Sequence, residues 1–156
     1  MGDYNRATME ITLQGMSPEM KAAADKHIEQ YELGSILDDA IMCVEAASVK
    51  IKKGVFAGPG AKTVNMVLIL TQRWLVQIIK SDNEPALARS AQLTDITVED
   101  YENSQFYSMI PDTGVNVSGR FTDAPENSMS FIGLGKDAAG ERFKSALIEA
   151  ARNVKK

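Results

Sequence analysis

The run from Val64 to Tyr101, VNMVLILTQRWLVQIIKSDNEPALARSAQLTDITVEDY, constrains the fold of this chain more than any other stretch. Val64 to Leu70 and Trp74 to Ile79 are almost uninterrupted apolar segments, and only Thr71-Gln72-Arg73 separates them, which is short enough to force an antiparallel hairpin. Ser81-Asp82-Asn83-Glu84-Pro85 is a turn by composition, Ala86 to Gln92 reads as a third strand, and Ile96 to Tyr101 alternates apolar with polar as a fourth. Gly114 to Phe121 alternates in the same way, and Ser128 to Leu134 completes a further hairpin across 122–127. Six or seven short antiparallel strands are expected.

Helices frame the strands. Ser17-Pro18-Glu19 predicts a helix start, with a hydroxyl to cap free amides, a proline whose φ suits the first turn, and an acid facing the positive end. Met20, Ala23, Ala24, Ile28 and Tyr31 then fall at spacings of three and four, and Gly34 closes the segment. At the other end Asp137 caps a helix to about Val154 whose apolar stripe is Phe143, Ala146, Leu147, Ala150 and Val154. Strands followed by one amphipathic helix do not make a βαβ order, so the expected class is α+β, mainly β, with an antiparallel, strongly bent sheet and the last helix plugging its open end.

Two segments read both ways. In residues 1–16 only Met9, Ile11 and Leu13 alternate, which fits either a loose arm or a short strand that needs a partner. Ser35-x-x-Asp38 could cap a helix, yet Val49-Lys50-Ile51-Lys52 alternates as a strand does, and a short turn followed by a long strand from about Ile41 is the expectation. The domain division is therefore an arm over 1–16 and a single domain over 17–156.

Composition excludes several function classes. The chain has 156 residues with 44% hydrophobic and 24% charged, enough for one sizeable core. A net charge of -4 gives no general attraction to phosphate backbones, so no nucleic-acid partner is expected. One cysteine, Cys43, cannot make an internal disulfide, and neither a signal-peptide core nor a run of about 18 apolar residues is present, which points to the cytoplasm.

No motif carries catalysis. His27 is the chain's one histidine and reads as a surface residue; Cys43 reads as an inert core thiol. Asp38-Asp39 and Glu99-Asp100 lack the alternate spacing of an ion-binding loop, and neighbours on a strand point to opposite faces. The glycine-rich segment from Lys53 to Gly60 has no Gly-Lys-Ser/Thr ending and is a loop rather than a phosphate cradle. No cofactor, metal or enzymatic activity is expected.

Leu70-Thr71-Gln72-Arg73-Trp74-Leu75 at the hairpin, Leu93-Thr94-Asp95-Ile96-Thr97-Val98 entering the fourth strand, and Gly135-Lys136-Asp137-Ala138 before a Phe143/Leu147 helix together resemble bacterial pleckstrin-homology-like domains over roughly 41–153. The resemblance implies a bent sheet or barrel of about seven strands capped by a C-terminal helix, the helix at 18–31 being an addition. It also implies a non-enzymatic module that binds lipid head groups, peptides or proteins. In lipid-binding members, basic residues around the first strand loop hold the phosphates; Lys50, Lys52, Lys53 and Lys62 stand there, but Val64 occupies the place of the final arginine. These lysines are the candidate contacts to an anionic membrane surface, or simply a solvated strand edge. Trp74 reads as core or as an exposed anchor. Phe106, Tyr107, Met109 and Ile110 crowd a connection before Pro111, either as a patch for a protein or peptide partner, another copy of the chain included, or as a lid folded over the core.

Overall fold

Apolar side chains on successive residues can all be buried only where both faces of a strand are covered, and that determines the layers. The computed structural model describes residues 4–51 and 62–155. Strands β1 (Tyr4–Glu10), β2 (Ala40–Lys50), β3 (Thr63–Thr71), β4 (Trp74–Ser81) and β5 (Leu87–Gln92) form one antiparallel sheet in the order β1-β2-β3-β4-β5. Strands β6 (Ile96–Asp100), β7 (Gly114–Gly119) and β8 (Ser128–Gly133) form a second antiparallel sheet in that order. Helix α1 (Pro18–Gln30) lies between β1 and β2 in the chain, and α2 (Ala138–Asn153) ends it. The protein is thus α+β and mainly β; among the described residues no strand pairing joins the two sheets into one closed ring.

The five-stranded sheet is the middle layer. On one face Val44, Ala46, Leu68, Leu70, Leu75 and Ala91 meet Ile96, Val115, Val117 and Ile132 of the second sheet and Phe143 and Leu147 of α2, all 3% exposed or less. On the other, Cys43, Val67, Ile69, Val76 and Ile78 pack under Met16 and under Met20 and Ala24 of α1. An antiparallel sheet usually leaves one face wet. Here both faces are covered, and Val67, Leu68, Ile69 and Leu70 are consequently all within 1% of complete burial.

The capping residues act as the sequence implies. Ser17 Oγ accepts from Met20 N at 3.3 Å and Asp137 Oδ1 from Gly140 N at 3.0 Å. Thr71 Oγ1 accepts from Arg73 N at 3.1 Å and Trp74 N at 2.9 Å, closing the β3–β4 hairpin with its own side chain. Gly114 and Gly119 bracket β7 at φ of 140° and 142°. An added Cβ would run into the Ile132 carbonyl at the first and the Asp95 carbonyl at the second, so neither site admits a larger residue.

Of the two readings of the first segment, the partnered strand is the one seen: β1 pairs with β2 from Tyr4↔Lys50 to Glu10↔Val44. Its other edge is fastened by side chains to the chain beyond β8. Asp137 Oδ2 accepts from Thr8 N at 2.8 Å, while Thr8 Oγ1 accepts from Gly135 N at 2.9 Å. Beyond Ser35 the chain makes a 3-10 turn over Ile36–Asp39 and enters β2 at Ala40, the short turn and long strand that were expected.

Candidate partner-docking surface

A loop that presents apolar side chains to water must be held by something other than those side chains. In residues 101–113 the holding is done by a buried tyrosine and the Arg6–Asp112 ion pair, with a more exposed pair, Lys136–Glu102, at 3.5 Å. Asp100 accepts from Glu102 N at 3.1 Å and starts a 3-10 turn over Tyr101–Asn103. Tyr101 is buried: its hydroxyl donates to the Ile110 carbonyl at 2.7 Å, and its ring meets Phe131 of β8 edge-on at 4.9 Å and Tyr107 at 6.2 Å. Turn hydrogen bonds from Met109 N at 3.1 Å and Ile110 N at 2.9 Å to the Phe106 carbonyl close the tip.

The far end is clamped by charge. Arg6 of β1 donates to both Asp112 carboxylate oxygens at 2.7 Å and, through Nη1, to Ser48 Oγ at 2.6 Å. The two side chains are 12% and 15% exposed, and the guanidinium also lies 5.2 Å from the Phe131 ring centre. A planar fork matched to a carboxylate in a partly dry setting is among the stronger polar contacts a protein makes. Thr113 N donates to Asp112 Oδ1 at 2.8 Å, its hydroxyl donates to the Leu134 carbonyl at 2.5 Å, and Leu134 N donates to the Thr113 carbonyl at 3.1 Å.

With the base fixed, the apolar residues of the loop divide. Phe106, Met109 and Ile110 stand 42%, 81% and 62% exposed, whereas Tyr107 turns back toward Tyr101. Tyr101 packs on Phe131 and Tyr107 on Tyr101, and the other three face water. Next to Tyr107 is a groove of about 530 Å³ that the Arg6–Asp112 pair lines together with Tyr4, Pro111 and Lys136.

Of the lysine candidates the two described ones, Lys50 and Lys62, adjoin across the β2–β3 edge, where Lys50 N donates to the Lys62 carbonyl at 2.8 Å, but they differ in exposure. Lys50 lies on the inward face of β2 with Ala46 and Ser48 and is only 5% exposed. Lys62 is exposed, and its N–H donates to Asp82 Oδ2 at 3.0 Å. Lys52, Lys53 and the glycine-rich segment lie outside the described residues. Those N–H groups of Thr63 and Lys62 hold the Asp82 carboxyl below its ordinary range.

The surface assignment of His27 is corrected by the structure. His27 is 5% exposed, with Nε2 hydrogen-bonded to Ser90 Oγ at 2.8 Å and 3.3 Å from Thr122 Oγ1. Serine beside histidine suggests a nucleophile and its base, but Ser90 is completely buried, which keeps a substrate from its hydroxyl. The cluster is a polar joint between α1, β5 and the segment after β7. Cys43 is buried as expected, and burial pushes its thiol pKa up to about 11, away from reactive thiolate. Trp74 is half-buried at the margin of the α1-side cluster.

Glu99 and Asp100 point apart as strand neighbours should: Asp100 takes Lys144 of α2 at 3.0 Å and Glu99 faces water. Among the described residues no group of three or more His, Cys, Asp or Glu is placed to hold a metal ion, and no helix is long and apolar enough to cross a membrane. Comparison with protein-family models, with curated proteins and with solved structures gives no match to this chain.

Proposed function

We propose that this chain is a non-enzymatic module of pleckstrin-homology-like fold that binds an apolar segment of a protein partner through Phe106, Met109 and Ile110. The observation that carries the reading is the contrast within one loop, where three large apolar side chains face water on a base fixed by Tyr101 and by the Arg6–Asp112 pair. A rigid base lowers the ordering cost of binding, and exposed aromatic and methionine side chains are the kind of anchors that protein interfaces use. The fold assignment is supported by the order of elements: a four-strand meander β2 to β5, a three-strand meander β6 to β8, and a helix packed against both sheets. On this reading β1 and α1 are additions.

The membrane alternative keeps less support, since among the described members of its lysine set Lys62 is exposed and Lys50 is buried. The test is a triple variant, Phe106→Ser, Met109→Ser and Ile110→Ser, compared with the parent chain in affinity capture and then in titration against the captured protein. Loss of the three anchors should weaken binding by about 2–4 kcal/mol, a factor of roughly 30 or more. Stability should change little, because the side chains removed touch water rather than core. Equal capture by parent and variant removes this surface as the site. Sedimentation of the purified chain over a concentration range shows whether the partner is a second copy.

A further inference from the structure

Beyond that reading, the joint around His27 points to a second property. We propose that His27 is a proton-operated latch for α1: protonation of its imidazole loosens α1 from β4 and β5 and uncovers the apolar outer face of the five-stranded sheet.

The geometry makes α1 the lightly held element. Of its 13 residues Met20, Ala24 and His27 are buried, with Ala23 partly buried beside them and Glu19 accepting from Ala86 N, so few side chains fasten it. The face beneath it is far more apolar than the helix that covers it, with Cys43, Val67, Ile69, Val76 and Ile78 all buried there. His27 lies at the C-terminal end of this stripe, its ring centre 4.8 Å from that of Tyr31 with the planes tilted by 50°.

The surroundings favour the neutral ring. From β5 it meets Ser90, with Ala88 on the same face; from β4 that face offers Val76 and Ile78, and Lys80 further along is bonded to the Ser81 and Glu84 carbonyls. The segment after β7 supplies the Thr122 hydroxyl and Asp123. On the helix itself the neighbour is Tyr31, and Glu19 at the other end accepts from Ala86 N at 3.3 Å. Hydroxyls and alkyl groups cannot neutralise an imidazolium. Asp123 could do so in part, but it is partly exposed and already paired with Arg89 at 3.3 Å. Burial therefore outweighs Asp123 and holds the His27 pKa below its ordinary 6.5.

A histidine whose folded pKa is depressed contributes its full stability above the unfolded pKa. That contribution is lost as pH falls below about 6.5 toward the folded value. Because the ring joins α1 to the sheet, the loss is first felt as opening of α1 rather than as unfolding of the whole chain.

The test is hydrogen exchange read by mass spectrometry between pH 7.5 and 5, expressed as protection factors for peptides of α1 and α2 in the parent chain and in His27→Gln. In the parent, α1 protection should fall by up to about tenfold per pH unit below 6.5 while α2 holds steady. In the variant the α1 slope should vanish. Flat α1 protection in the parent, an equal fall in α1 and α2, or an unchanged slope in a folded variant would each overturn the latch. The α1-against-α2 comparison in the parent decides the matter even if the variant does not fold. As the chain's one histidine, His27 also gives a single imidazole resonance whose midpoint should lie below 6.5.

Discussion

Phe143→Ala is expected to remove about 3–5 kcal/mol of stability, seen as a large fall in the denaturant midpoint with little change in slope. Phe143 is the fully buried aromatic of α2 and enters the cluster shared by both sheets, against residues that are themselves within a few per cent of complete burial. Tightly packed surroundings relax poorly into the space an aromatic ring leaves, so the lost transfer energy and the cavity add. Against a usual total of about 5–15 kcal/mol, that loss brings the chain close to its unfolding threshold. A loss below about 1 kcal/mol would mean that α2 is not the element that joins the two sheets.

The second large effect is expected at Asp112→Ala, about 2–4 kcal/mol by the same measurement. The substitution strands the Arg6 guanidinium beside Phe131 at 12% exposure and also removes the acceptor of Thr113 N at 2.8 Å. Losing one partner of a mostly buried pair leaves an uncompensated charge, which costs more than the pair contributed. Arg6→Met in the same background should recover part of the loss, because an apolar pair needs no neutralisation. Partner binding should weaken along with stability, since Asp112 anchors the loop that carries Phe106, Met109 and Ile110. If Asp112→Ala alone matches the parent, the clamp does not hold the loop.

Much of this architecture is written locally. Ser17-Pro18 and Asp137 cap the helices from within their own turns, and Thr71 closes its hairpin with bonds spanning two and three residues. Such signals survive in a sequence because both partners lie inside one short window. The strand character of β1 has no such window. Its inward face carries Tyr4, Arg6 and Thr8, and what makes the last two acceptable inside is Asp112, Gly135 and Asp137, more than one hundred positions away.

The same reason hid His27. Its spacing from Ala23, Ala24 and Tyr31 sets it beside the apolar stripe, but a polar ring next to Lys26 reads as wet, and only Ser90 and Thr122, 63 and 95 residues on, make its burial tolerable. Lys50 was legible as part of an alternating strand but not as its inward member, because alternation alone does not say which face is covered. In the loop, the crowding of Phe106 to Ile110 was visible in the sequence. The division of Tyr107 from the other three was not, since it depends on Tyr101, which Phe131 of β8 meets from 30 positions away.

The double cover over β3 has one further consequence, for the lifetime of the molecule. Val64 to Leu70 carries no charge and no proline, and it is rich in the branched residues that favour strand formation, with Arg73 and then Lys80 as the first cations downstream. Such a segment is adhesive when bare, able to pair with its counterpart in another chain. Its safety rests on two lids of unequal weight, α2 with the second sheet on one side and the slender α1 on the other. How long the protein lasts in a crowded solution is then set by how seldom the lighter lid lifts, a matter of opening rate more than of equilibrium stability.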